Sequence, residues 1–214
     1  MTTLTNKGSA AILCEVADVI VENRTYLSEI DGKIGDGDHG FNMSKGFDRA
    51  KGRIDAANDT LDAAMSTLSD VLMSEIGGSM GPLYGMMFAD MADALSGKAQ
   101  IDAQTFGEML HAGLEGVQAI GEAKVGDKTL LDTLVPAIET YDAALGEGAD
   151  WATALARMTA AAEAGRDSTE DMVAKVGRSS RLGERSRGVL DAGATSCCLI
   201  LVTLARGIEA RLPA

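Results

Sequence analysis

The chain has 214 residues and a formal net charge of −13, with only 4% aromatic residues. Such an excess of negative charge repels phosphate backbones, so nucleic acid is excluded as a partner. The length fits one domain, 1–214, because no Pro-, Gly- or Ser-rich linker divides it. Alanine, leucine, methionine and glutamate are abundant where a sheet would favour aromatic and β-branched residues, so the balance is helical.

The N-terminus, Met1 to Ser9, lacks the apolar core of a signal peptide. Apolar residues then recur at helical spacing along the chain. Ile12, Leu13, Val16, Val19 and Ile20 form one stripe. Tyr26, Leu27 and Ile30 form a short second helix or its continuation. Further stripes run Met43 to Ile54, Leu61 to Leu72, Tyr84 to Leu95, Phe106 to Val117 and Leu131 to Leu145. Trp151 opens a helix expected to run to about Lys175, and Ala194 to Ile208 closes the chain. Asp150 stands at an N-cap position, and Thr105 with Glu108 has capping-box spacing. Gly97, Gly146 and Gly148 follow stripes, as helix terminators do. The expected fold is all-α, about eight antiparallel amphipathic helices around one core. No alternating strand pattern persists. No run of about 18 continuous apolar residues exists, so no membrane span is expected. The three cysteines, Cys14, Cys197 and Cys198, form neither C-x-x-C pair nor disulfide framework, which points to a reducing cytoplasm.

Three connections are too rich in glycine and polar residues for plain helix turns. The first runs from Asp31 to Asn42 and places Asp31, Asp36 and Asp38 within eight residues, separated by glycines. Carboxylates this close repel one another unless a hard cation joins them, and Mg²⁺ prefers such oxygens. An EF-hand is excluded, because Gly40 stands at its third ligand position and Phe47 at its twelfth. Three carboxylates with two Mg²⁺ carry a net positive charge, which suits a polyphosphate. The P-loop pattern is absent. The second connection, Gly77 to Pro82, leads flexible glycines into a helix start, where backbone N–H groups cradle anions as readily as they make a plain turn. The third, Gly177 to Gly193, carries Arg178, Arg181, Arg185 and Arg187. Arginine grips phosphate bidentately, although ion pairing with nearby acids is the commoner use of any one of them. His111, Cys197, Cys198 and the methionines at 86, 87 and 91 read as structural.

Four ordered strings carry a resemblance. They are Ile34-Gly-Asp-Gly-Asp-His-Gly-Phe-Asn-Met43, Gly77-Gly-Ser-Met-Gly-Pro-Leu-Tyr-Gly85, Gly126-Asp-Lys-Thr129 and Gly177-Arg-Ser-Ser-Arg-Leu-Gly-Glu-Arg-Ser186. Together they resemble the L subunit of dihydroxyacetone kinase over essentially the whole chain. The resemblance implies a barrel of eight antiparallel helices with ADP or ATP capping one end. It implies two Mg²⁺ ions on Asp31, Asp36 and Asp38. It implies nucleotide contacts from His39, Gly40, Phe41, Asn42, Ser79, Met80, Gly121, Leu130, Arg178, Asp191, Ala192 and Gly193. The sugar would bind a separate K subunit, with a phosphotransferase-system carrier or exchanging ATP as donor. Arg178 would stabilise the transferring phosphoryl group. The alternative is a nucleotide-bound module that regulates a transcription factor without turnover. The sequence departs from the family's common Gly-Gly-Ala-Ser at Gly77-Gly78-Ser79-Met80, from Asp-Pro-Gly at Asp191-Ala192-Gly193, and from a common tyrosine at Arg181.

Overall fold

The computed structural model describes residues 2–213. Among these, nine α-helices account for most of the chain: α1 Ala10–Glu22, α2 Arg24–Ile34, α3 His39–Lys51, α4 Leu61–Glu75, α5 Met80–Leu95, α6 Ala103–Ile120, α7 Leu131–Gly146, α8 Trp151–Ser168 and α9 Ala192–Glu209. Two three-residue strands, β1 Thr3–Thr5 and β2 Gln100–Asp102, pair antiparallel with Leu4 opposite Ile101. They are too short to leave an alternating pattern in the sequence, and they tie the N-terminus to the start of α6.

Packing neighbours run in a closed circuit from α1 through α3, α4, α5, α6, α7, α8 and α9 back to α1. The apolar stripes face inward and merge into one contiguous core. Phe47 meets Phe88 edge-on at 6.0 Å, and Phe106 meets Tyr141 at 5.4 Å. The additional helix is α2, which lies against α3 and α9. It begins afresh at Arg24, with Asn23 bonding back to Val19, so it does not continue α1.

The helix ends follow local chemistry. Thr60, Asp102, Asp150 and Asp191 each accept a bond from the N–H three residues on. Asp102 therefore caps α6, and Thr105 lies inside the first turn instead of starting it. α8 stops at Ser168 and passes into a 3-10 turn, Thr169–Asp171, short of Lys175. Pro136 inside α7 cannot donate to the carbonyl of Asp132. That carbonyl faces Gly165 of α8, where a Cβ would lie 2.2 Å away, so α7 and α8 pack unusually close. α9 has a mean hydropathy of 1.3 over 18 residues, and 72% of that stretch is buried. It is long and apolar enough to cross a bilayer, yet here it forms a wall of the core.

Candidate functional site

The chain between α2 and α3 is shorter than the sequence suggests. Asp31 lies in the last turn of α2, and only Gly35 to Asp38 link the two helices. Gly35 leaves room for the Asp31 carboxylate, since a Cβ there would sit 2.3 Å from Asp31 Oδ1. Gly37 takes φ +80°, which turns the chain back toward α3. Asp38 occupies the N-cap of α3 but makes no side-chain cap bond, which leaves its carboxylate for another use. One ligand atom from each of Asp31, Asp36 and Asp38 lies within 4.8 Å of the others. That spacing and the all-oxygen donor set fit a hard divalent cation.

The cluster stands at the edge of a cavity of about 790 Å³. Four helix N-termini open onto it: α3 at His39, α5 at Ser79 and Met80, α7 at Leu130 and Leu131, and α9 at Asp191 to Gly193. Each brings the positive end of a helix dipole to the cavity. An acidic chain thus presents a locally positive floor to an anion. Arg178 and Arg181 also line the cavity, and Arg178 pairs with Asp36. The mouth carries exposed apolar residues, Ile120 at 46% and Val176 at 36%.

Of the residues expected around a nucleotide, His39, Ser79, Met80, Gly121, Leu130, Arg178, Asp191, Ala192 and Gly193 line the cavity. Gly40, Phe41 and Asn42 do not. Phe41 is 56% exposed and borders a shallow recess with Arg24, Thr25, Ser28 and Glu29. Gly40 packs α3 against α2, where a Cβ would lie 2.0 Å from the carbonyl oxygen of Arg24.

Burial displaces several ionisable groups here, His39 and Asp191 among them. His39 is pushed down to about 4 by desolvation, so it is neutral at pH 7 and brings no charge to a phosphate. Its Nε2 lies 2.9 Å from Ser196 Oγ, which lies 2.6 Å from the Tyr84 hydroxyl; that hydroxyl donates to the Gly193 carbonyl at 3.0 Å. This chain of bonds joins α3, α5 and α9 beneath the cavity. Asp191 is pushed up to about 6, first by desolvation and then by the Asp132 charge, against the Ala194 N–H and the Lys128 ammonium.

Tyr84 heads an apolar stripe in the sequence, and no local pattern there marks a role for Lys128 or Asp132. The string Gly126-Asp-Lys-Thr129 was visible, but burial of its lysine was not. His111 pairs with Asp142 at 2.7 Å on the surface, and the cysteines are buried and free. Met87 and Met91 are core, whereas Met86 is only partly buried.

Residues 33–206 match the model of the DAK2 domain. The ADP-binding subunit DhaL of the PEP-dependent dihydroxyacetone kinase of Escherichia coli is 34% identical over 194 residues, covering 90% of this chain and 92% of that one. The corresponding subunit of the PTS-dependent kinase of Lactococcus lactis is 35% identical over 193 residues, covering 86% and 88%. The crystal structure of the dihydroxyacetone kinase of C. freundii superposes with a TM-score of 0.69 at 25% identity, over 92% of this chain and 34% of that one. This chain thus spans about a third of that kinase. On the strength of the full-length matches to separate subunits, the chain belongs to the DAK2 domain family, alongside the ADP-binding subunits of dihydroxyacetone kinases.

Proposed function

We propose that the cavity holds ADP or ATP through magnesium on Asp31, Asp36 and Asp38, and that the chain is the nucleotide-bearing half of a dihydroxyacetone-type kinase. The observation that carries this reading is the convergence of three carboxylates within 4.8 Å at the rim of a cavity floored by four helix N-termini. Magnesium supplies charge that joins carboxylate and phosphate oxygens, with two ions the number expected. His39, Ser79, Met80, Gly121, Leu130, Asp191, Ala192 and Gly193 are the chain's contacts to the nucleotide, and Arg178 is its catalytic group. The circuit of helices is then a barrel with the nucleotide capping one end.

Phosphoryl transfer is mostly positioning and electrostatics, which such a site can provide. Activation of a sugar hydroxyl is another matter. The aspartates are assigned to metal, and His39 is held by Ser196. The acceptor, a small ketose or polyol, is therefore assigned to a partner K subunit that covers the mouth, where Ile120 and Val176 expose apolar surface. The relatives' names, PEP-dependent and PTS-dependent, favour ADP as a fixed coenzyme recharged by a phosphoryl carrier. The buried free thiols suit a reducing cytoplasm.

The test is reconstitution. The purified chain should bind Mg·ADP alone and phosphorylate dihydroxyacetone only with the K subunit present. Either a phosphoryl carrier or excess ATP then supplies the phosphate, and comparing the two identifies the donor. Sugar phosphorylation by the chain alone would overturn the division of labour, and failure to bind Mg·ADP would overturn the reading itself.

A further inference from the structure

Lys128 lines the cavity, and in a phosphate site a lysine invites assignment to the phosphate. The hydrogen-bond count argues otherwise. Lys128 is 1% exposed, the one lysine or arginine buried among the described residues. Its Nζ donates to the carbonyls of Ser186 at 2.5 Å, Val189 at 2.6 Å and Met172 at 3.2 Å. An ammonium has three N–H groups, and three carbonyls take all of them. None is left for a ligand.

The backbone around it is set to make this reach. Lys128 is the one non-glycine residue with a positive φ among the described residues, at +64°. The buried Asp132 carboxylate holds the turn in that form, accepting from Gly126 N at 2.5 Å and Thr129 N at 2.7 Å. A lysine in the left-handed region and a desolvated ammonium both cost stability, so something outside the turn must hold them. The three carbonyls come from both sides of Arg178: Met172 stands before Gly177, where the arginine loop begins, and Ser186 and Val189 stand in the loop's second half. Arg178 lies between, with a side chain 61% exposed and anchored by nothing but its own loop and the pair with Asp36.

We propose that Lys128 is a positioning residue that cinches the chain on both sides of Arg178 and thereby places Arg178 at the cavity. Lesser stitches reinforce the base of the loop. The Gly188 N–H donates to the Glu170 carbonyl at 2.7 Å, and Lys175 N donates to the Asp127 carbonyl at 3.1 Å. The Ser186 hydroxyl accepts from Ala174 N at 2.9 Å and donates to the Gly183 carbonyl at 2.7 Å. Lys128 alone joins Met172 to both Ser186 and Val189.

The role of Arg178 rests on the nucleotide reading; the cinch itself does not, and two measurements keep them apart. Amide hydrogen exchange on the apo chain tests the cinch. Lys128→Met should raise exchange across residues 173–190 at least tenfold while α4 and α5 keep their protection. Unchanged exchange in the loop, or a uniform rise throughout, overturns the proposal. If Lys128→Met does not fold, Lys128→Arg decides. Its planar fork keeps the charge but cannot aim one nitrogen at three converging carbonyls. Its loss of protection should be partial and confined to the loop, and full wild-type protection overturns the proposal. A double-mutant cycle in the reconstituted transfer assay tests the connection to Arg178. Lys128→Met alone should lower transfer about 10–100-fold, as misplacement of a catalytic group does. In an Arg178→Ala background it should cost less than about threefold, because the group it positions is gone. Independent, multiplicative losses overturn the connection. A wild-type chain that binds no Mg·ADP would defeat the proposed function and leave the exchange result to stand on its own.

Discussion

Arg178 and Asp36 form an ion pair at the mouth of the cavity, so the arginine loop holds one of the three carboxylates of the acidic cluster. Their side chains are 61% and 42% exposed, and a pair this open to water adds at most about 1 kcal/mol to stability. Its meaning is positional. A cation entering the cluster competes with Arg178 for Asp36, and a guanidinium released there stands beside whatever the cation brings with it.

Metal dependence is the first consequence. ADP affinity should fall at least a hundredfold when magnesium is chelated, because the phosphates then face three bare carboxylates. Asp36→Asn should reproduce that loss in the presence of magnesium, since a neutral amide is a poorer ligand for a hard cation. Isothermal calorimetry with Mg·ADP measures both. Wild-type affinity in Asp36→Asn would remove the acidic loop from metal binding.

Arg178→Ala should lower phosphoryl transfer by roughly 10³-fold while changing ADP affinity far less, because an arginine on the terminal phosphate acts mainly in the transition state. Arg178→Lys should restore only part of the rate, lacking the bidentate fork. Arg185 is the control. Arg187 pairs with Glu184 and bonds the carbonyl of Asp171, so it belongs to the loop's own frame. Arg181 lines the cavity and should give an intermediate effect. Near-equal rates in all four alanine variants would take Arg178 out of the mechanism.

The parts legible in the sequence were those written in local pattern. Stripes such as Leu61 to Leu72 and Phe106 to Val117 fixed helices, because burial of one face repeats every three or four residues. The acidic loop stood out because Asp31, Asp36 and Asp38 crowd like charges without local relief. What stayed hidden depended on partners far along the chain. The His39–Ser196–Tyr84 chain joins residues more than a hundred positions apart. Lys128 looks like any surface lysine until the carbonyls 44 to 61 residues away close over it. Gly40 sits in a string that reads as ligand-binding, yet its contacts in the structure are with α2. α8 ends earlier than its pattern predicts because Met172 and Ala174 extend the apolar spacing while the backbone has already turned away.

Gly40 yields a direct test of that distinction. Gly40→Ala would push a methyl against the Arg24 carbonyl and the Ser28 N–H, both main-chain atoms that cannot swing aside. The cost should be about 3 kcal/mol, as overpacking at a rigid contact gives, or a fall of about 6–12 °C in melting temperature. Mg·ADP affinity of the molecules that remain folded should change little. A variant that melts like the wild type but loses the nucleotide would return Gly40 to the binding site.

The last prediction concerns pH. Asp191 caps α9 through the Ala194 N–H, and burial raises its carboxyl to about 6. In the unfolded chain an aspartate titrates near 3.9. Between these values the folded chain keeps a proton that the unfolded chain has released. This group's contribution to stability is therefore fully present below about pH 4 and is lost as pH rises through about 6. Asp191→Asn removes the titration and retains the cap, because asparagine caps helices about as well. The stability of Asp191→Asn relative to wild type should thus rise by about 1–3 kcal/mol between pH 4 and pH 7.5, the upper end being two units of displacement. Wild-type stability alone cannot reveal this. His39 is lowered to about 4, so its protonation opposes folding in the same range and gives the opposite slope, with stability rising as pH rises. Subtracting the variant from the wild type cancels His39 and isolates Asp191. Urea unfolding of both proteins at several pH values, in chelator and without nucleotide, makes the comparison. A difference that is flat with pH would show that Asp191 ionises normally at the start of α9, and a difference of the opposite sign would show that its carboxylate is stabilised there.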